Sequence, residues 1–345
     1  MTASDPKKHS ATTLNVPLRM DRISLEKVWG GRSLERVPGI SIGGKGPVGE
    51  TWELVDRTDH NSKIRGGPHA DGALRDLMAT DREALLGNAK ATADERFPVL
   101  IKYLSAEKPL SIQVHPDDRT AKQLHAGENG KTESWYILDA EPGSLVYLGL
   151  QAEVDASQFS VVAAGPGVVD LVQPWPVKAG QFVHVPAGTL HAIGEGITLL
   201  EVQQNSDVTY RLYDWGRLGL DGKPRSTQVE ECLLAVHYEE PVDGPRTPEL
   251  ESLGGDNRGT QLIDCEHYSM SVFEISSYLD LETDGVARAV VLLKGPARLW
   301  LPDVEEPWIM EQGDTWLIPA LIGKFRIECQ EMEGIAKIIT VETKA

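Results

Sequence analysis

AGQFVHVPAGTLHAI, residues 179–193, reads as a short β-strand set between a glycine turn and a proline–glycine turn, with a histidine just past the second turn. The same frame returns in QGDTWLIPALIGKFR, residues 312–326. Gly180 falls on Gly313, Pro186 on Pro319 and Ala187 on Ala320, while His191 falls on Lys324. Upstream, PLSIQVHP (109–116) lies over HYSMSVFE (267–274), which sets Gln113 on Ser271 and His115 on Phe273. Self-similarity of this kind implies two related β-units. The first holds candidate ligand side chains and the second has replaced them.

The rest of the chain agrees with a mainly β fold carrying a few short helices. Its 345 residues suggest two domains, and 33 Gly with 21 Pro suggest many turns. Residues 1–17 read as a polar tail and 18–238 as the ligand-bearing domain. Residues 239–260, rich in Pro, Gly and acid, read as a linker, and 261–345 as the second unit. Within the first domain, 72–87 has helical spacing closed by Gly87. A second helix is expected over 117–125, ending near Gly127, and a third at EECLLAVHY.

The charge balance is 34 Lys+Arg against 52 Asp+Glu, a formal −18, which argues against nucleic acid and anionic membrane surfaces as partners. Cys232, Cys265 and Cys329 form no CxxC pair, so neither a thiolate zinc site nor a disulfide framework is expected. There is no run of 18 apolar residues, and the N-terminal MTASDPKKHSATT has no apolar segment behind its basic pair. The expectation is a cytoplasmic protein, with a monomer as the starting assumption.

Four elements carry chemistry. Ser111, Gln113 and His115 alternate with Leu110, Ile112 and Val114, so the polar three share one strand face. For that strand alone, a half-solvated edge is the plainer reading. Gly180-x5-Pro186-x-Gly188-x2-His191 delivers a second histidine to a strand start. GKTESWYIL (130–138) carries Glu133 into an apolar strand. Two imidazoles, a carboxylate and an amide make an N/O divalent-metal set, with zinc favoured over manganese, iron or cobalt. In LLEVQQNSDVTYRLYDWGR (199–217), Glu201, Asp207, Arg211, Asp214 and Arg217 are interleaved with apolar residues, so some of the charges must be buried and need partners or a ligand.

The spacing around His191 matches the second motif of the cupin superfamily, which makes the expected units cupin-like β-barrels, or jelly rolls. WGG (29–31), GETWEL (49–54), FPVLIKYLSA (97–106), LSIQVHPDD (110–118), GKTESWYIL (130–138), PAGTLHAI (186–193) and QQNSDVTYRLYDWGR (203–217) occur in order. Together they resemble the type I mannose-6-phosphate isomerases of the short bacterial class. The match spans about residues 18–220 and is looser beyond. Ser134 departs from the usual GKTEMW form.

The resemblance implies one Zn²⁺ held by Gln113, His115, Glu133 and His191. It implies catalytic roles for Arg211 and Lys131, and it matches Ser111 to the serine of the LSxQxH strand. The implied reaction interconverts mannose 6-phosphate and fructose 6-phosphate through an enediolate. Glu201, Asp207 and a zinc-bound water are the candidate proton carriers. Ser111, Lys102, Lys131 and Arg217 are the candidate phosphate contacts, so the expected partner is a small sugar phosphate. Two rivals stand beside it: another cupin metalloenzyme, such as a metal-dependent oxygenase, and a sugar-binding cupin without turnover.

Overall fold

The computed structural model describes residues 14–125, 127–151, 154–163, 165–238, 241–330 and 334–345. Strands that are buried on both faces lose the apolar–polar alternation of a half-exposed sheet. Val99–Ala106 and Ile197–Gln204 are buried along their whole length, and both lie inside a six-stranded antiparallel sheet. Its order is Ile23–Gly31, Val48–Leu54, Val99–Ala106, Ile197–Gln204, Glu133–Ala140, Phe182–Val185.

One face of this sheet packs Leu104, Trp135 and Ile137 against Val146, Leu148 and Ile193 of a five-stranded sheet. That sheet runs Tyr210–Tyr213, Ile112–Val114, His191–Ile193, Leu145–Leu150, Val172–Pro176. Its outer side is covered by the helices Ala156–Val162 and Val229–Ala235, through Phe159, Cys232 and Ala235. The opposite face of the six-stranded sheet packs Ile101, Tyr103, Leu200 and Val202 against Met270, Val272, Val291 and Ile339 of a seven-stranded sheet. At roughly 1.5–3 kcal/mol for each large apolar side chain buried, this shared core ties the two units together. Beyond it, Val290, Leu292 and Ile338 meet Leu299, Phe325 and Ile327 of a four-stranded sheet. The described residues therefore form four sheet layers, two to a unit, as the mainly β expectation required.

Several boundaries differ from the sequence reading. The tail expected through residue 17 already contributes Leu14 to the core, and Leu18–Arg19 pairs with Thr315–Ile318 of the second unit; residues 1–13 lie outside the described residues. The expected linker 239–260 contains Glu251–Gly254, which forms a hairpin with Asn257–Asp264 on the edge of the seven-stranded sheet; Glu239 and Glu240 lie outside the described residues. The single helix expected over 72–87 is two, Leu74–Thr80 and Arg82–Leu86, because Asp81 leaves the helical conformation at φ −135°. The helix expected over 117–125 forms as Asp118–Leu124, with the Asp117 carboxylate accepting from the Thr120 N–H. Among the described residues, no helix is long and apolar enough to cross a membrane. Cys232 and Cys265 are free thiols.

The repeat is real at its glycines: Gly180 and Gly313 have φ +85° and +87°, and each leads into a strand that pairs with an equivalent neighbour. Glu133 lies opposite Val185 as Arg288 lies opposite Ile318, so Arg288 occupies the place of Glu133. Beyond Pro319 the sequence register slips by one residue. Lys324 is exposed, and it is Phe325 that faces the interior, opposite Leu281, as His191 lies opposite Gln113. A one-residue shift reverses every side chain on a strand. PLSIQVHP likewise corresponds to Tyr278–Glu282, since Tyr268–Ile275 occupies the place of Val99–Ala106. Leu281, Arg288 and Phe325 thus stand where the first unit has Gln113, Glu133 and His191.

Candidate metal centre and active site

Side chains directly opposite one another in an antiparallel pair project to the same face. His191 pairs with Gln113, and Gln113 with Arg211, so these three look into the space between the two sheets of the first unit. From the facing sheet, Glu133 lies opposite Gln203, and Glu201 lies opposite both Trp135 and Lys102. Two glycines permit this approach. A Cβ on Gly188 (φ +87°) would fall 2.5 Å from the His237 ring, just before the His191 strand. A Cβ on Gly130 would fall 2.5 Å from the Asp118 nitrogen, where the Lys131 N–H donates to the Pro116 carbonyl.

His115, Glu133 and His191 form a buried group whose ligating atoms all lie within 4.8 Å of one another. Nε2 of His115 stands 3.4 Å from one Glu133 carboxylate oxygen, and Nε2 of His191 stands 3.4 Å from the other. Each ring is oriented from behind. His115 Nδ1–H donates to the Val208 carbonyl at 2.8 Å, and His191 Nδ1–H to the Thr189 carbonyl at 2.9 Å. Both Nε2 lone pairs are thereby left for the centre, the arrangement of a metal-ligating imidazole. The Trp135 indole N–H donates to Glu133 at 3.1 Å.

Burial pushes the His115 pKa down to about 3, with the Lys131 charge adding to the effect, and burial also lowers His191. Burial alone would raise Glu133, but Lys131 and His115 hold it well below the ordinary carboxylate range. The set is therefore two neutral imidazoles and one carboxylate at neutral pH.

The Glu133 carboxylate turns one oxygen toward each imidazole Nε2, and this convergence of three buried ligand atoms is the sign that these residues fit a cation. With no sulfur, the donor set suits zinc and other borderline divalent ions. Gln113 adjoins it, its amide nitrogen 3.3 Å from His191 Nε2 and its oxygen accepting from the Ser111 hydroxyl at 3.0 Å. Turning the amide over would aim its oxygen at the centre and leave the NH₂ to donate to Ser111.

Positive charge surrounds the triad. Lys131 Nζ is 2.7 Å from Glu133, 3.0 Å from His115 and 3.9 Å from Glu201. Lys102 Nζ is 3.1 Å from Glu201 and lies 5.1 Å from the centre of the Trp52 ring. Burial works against the Lys102 charge, but Glu201 and Glu50 overcome it and raise its pKa. Glu201 itself is pushed up by burial, against the pull of Lys102. Arg211 is half-buried and donates through Nη1 to the Ser226 carbonyl at 3.0 Å. Arg217 lies at the outer end of the site, on Asp214 and the Pro109 carbonyl.

Ten of the eleven sequence-derived site residues thus gather between the sheets or at their rim. Asp207 is the exception: it is exposed on the loop after Ile197–Gln204, and only its field reaches Lys102. Sequence reasoning missed Glu50, whose pKa is about 2. Burial would raise it, and Lys27 and Lys102 lower it. The signal was the carboxylate inside GETWEL, a strand that is buried throughout. Ser134, the departure from the usual motif, faces the other way. Its hydroxyl lies 3.0 Å from both His184 Nδ1 and the Tyr268 hydroxyl, and Tyr268 donates to the Val202 carbonyl at 3.1 Å. A tyrosine of the second unit thus braces the strands that carry Glu133 and Glu201.

Residues 18–146 match the family model for the catalytic domain of type I phosphomannose isomerase. The mannose-6-phosphate isomerase of Streptococcus mutans is 33% identical over 312 residues, 90% of this chain and 95% of that protein. ManA of Bacillus subtilis, also a mannose-6-phosphate isomerase, is 32% identical over 316 residues, 90% and 96% of the two chains. The crystal structure of the mannose 6-phosphate isomerase from Bacillus subtilis superposes with a TM-score of 0.84 at 30% identity, covering 94% of this chain and 99% of that one. A putative mannosephosphate isomerase from Archaeoglobus fulgidus shares the fold at 19% identity and a TM-score of 0.73. With full-length relatives extending the match through His191, Arg211 and the second unit, the chain belongs to the type I phosphomannose isomerase family.

Proposed function

We propose that this enzyme interconverts mannose 6-phosphate and fructose 6-phosphate with Zn²⁺ held by His115, Glu133, His191 and Gln113. The observation that carries the reading is the buried His115–Glu133–His191 triad, with Lys131, Lys102 and Glu201 packed against it. When bound, the ion supplies Lewis acidity toward a sugar oxygen. The chain's own residues do the rest. Lys131 and Arg211 hold fixed positive charge where the oxygens of an enediolate develop. Glu201 is the proton carrier between C2 and C1. Its burial disfavours the ionised form, the property wanted of a carboxyl that takes and returns a proton near neutral pH. Asp207, exposed on its loop, is a weaker candidate. Ser111, Lys102 and Arg217 receive the sugar and its phosphate.

An enediolate route passes the C2 proton through a protein group that exchanges with solvent. Turnover of mannose 6-phosphate in D₂O should therefore place deuterium at C1 of fructose 6-phosphate, read by NMR. Complete retention of protium during full conversion would contradict the proton-carrier role of Glu201. An oxygenase or a binding protein without turnover would yield no fructose 6-phosphate at all.

A further inference from the structure

Where the strand Tyr210–Tyr213 runs into its following loop, two guanidinium groups grip one buried carboxylate and a third stands beside them. Asp214 Oδ1 accepts from Arg217 Nε at 3.0 Å and Nη2 at 2.7 Å. Arg225 Nη1 reaches both oxygens of the same carboxylate, at 3.2 and 3.3 Å. Arg211, one turn of the chain away, has a buried Nε with no hydrogen-bond partner. The side chain of Asp214 is 6% exposed, against 14% for Arg217 and 24% for Arg225, so the acid lies beneath and the cations face outward.

Three arginines against one aspartate leave a formal excess of +2. The other carboxylate whose field reaches Arg225, Glu50, is held by Lys27 at 3.2 Å and by the Trp52 indole at 2.8 Å. Among the described residues, no carboxylate except Asp214 lies within ion-pair distance of Arg225. Burial lowers the pKa of Arg211, and Arg225 adds to the effect; burial also lowers Arg225. Partly buried like charges held together in this way are relieved by an anion. An excess of two matches a phosphate monoester, which carries about −1.5 to −2 at pH 7.

The position fits as well. Arg217 Nη1 donates to the Pro109 carbonyl at 2.6 Å, which puts the cluster at the Ser111 end of the strand that carries Gln113 and His115. Ser111 and Gln113 are separated by two strand steps, about 6.6 Å. An open-chain hexose 6-phosphate, with its six carbons between the carbonyl end and the phosphate ester, is long enough to span this separation.

We propose that Arg225 binds the substrate phosphate together with Arg217, and that Asp214 is the positioning residue that aims both guanidinium groups. The pair selects dianionic sugars over neutral ones. The assignment rests on the sugar-phosphate reading of the site and adds to it a residue that neither the motif spacing nor the strand register marks.

The test uses the zinc-loaded full chain. Inorganic phosphate binding is measured by titration calorimetry, and KM and kcat for mannose 6-phosphate by a coupled assay. Losing one charge-assisted, two-pronged contact should weaken binding by about 10- to 100-fold. Arg225→Gln should therefore raise both KM and the phosphate Kd by that factor, with kcat within about threefold of wild type. Arg225→Lys, which keeps the charge and the pairing with Asp214, should fall between the two. Its values also decide the matter should the glutamine variant fail to fold. Unchanged KM and phosphate Kd in either variant would overturn the assignment. Phosphate binding that depends on Arg225, in a protein that turns over no sugar phosphate, would keep the receptor and sink the isomerase reading instead.

Discussion

His191→Ala is expected to leave the protein folded, without bound zinc and without measurable isomerisation. The imidazole is buried, its Nδ1–H is fixed by the Thr189 carbonyl, and its Nε2 faces Glu133. Removing an outer-shell partner of a ligating histidine already costs about 10- to 100-fold in metal affinity, so removing the ligand itself should cost more than about 100-fold. The fold should survive because the core shared by the two units lies away from this side chain: His191 borders the interior between the first two sheets, while the units meet through the opposite face of the six-stranded sheet. Metal content after dialysis and a circular dichroism melt separate the two effects. Retention of one zinc per chain would remove His191 from the ligand set.

Arg211→Ala should behave in the opposite way toward metal. Its guanidinium shares the interior face with Gln113 and His191, but it donates to the Ser226 carbonyl and contacts none of the triad atoms. The variant should keep its zinc while kcat falls by about 10²- to 10³-fold, the usual cost of removing one fixed charge aimed at a developing oxyanion. KM should move less than kcat, because Arg217 and Arg225 remain on Asp214 to hold the phosphate. Loss of zinc from this variant would mean that Arg211 supports the ligands instead of the reaction.

How much of this was legible in the sequence depends on distance along the chain. Gln113, His115, Glu133 and His191 lie on or beside short strands whose starts are set by turn glycines and prolines, so their grouping could be expected from the sequence, and the fold brings the four side chains together. The two-unit architecture was legible from the Gly180 and Gly313 frame. What failed was register, where one extra residue after Pro319 turned Lys324 outward and Phe325 inward. The hairpin at 251–264 was hidden because an exposed edge strand such as Glu251–Gly254 carries no apolar pattern. Arg225 was hidden for a related reason. It lies in a polar loop, and only the return of that loop onto Asp214 gives it a place.

The second unit also gains a physical meaning. Its counterpart interior is apolar at Leu281 and Phe325, and at the Glu133 position Arg288 pairs with Glu342 at 2.8 Å. A guanidinium in place of the carboxylate cannot ligate a cation. That unit packs against the first through the shared core and sets Tyr268 behind the strands that carry Glu133 and Glu201.

The central claim is that isomerisation depends on a metal held by the triad. The most direct measurement is NADPH formation from mannose 6-phosphate, linked through phosphoglucose isomerase and glucose-6-phosphate dehydrogenase. It is made on the protein as purified, after chelation to verified metal-free protein, and after zinc is restored. Turnover should disappear on chelation and return with about one equivalent of Zn²⁺ per chain. Undiminished turnover by the metal-free protein, or none by the zinc-loaded protein, would contradict it.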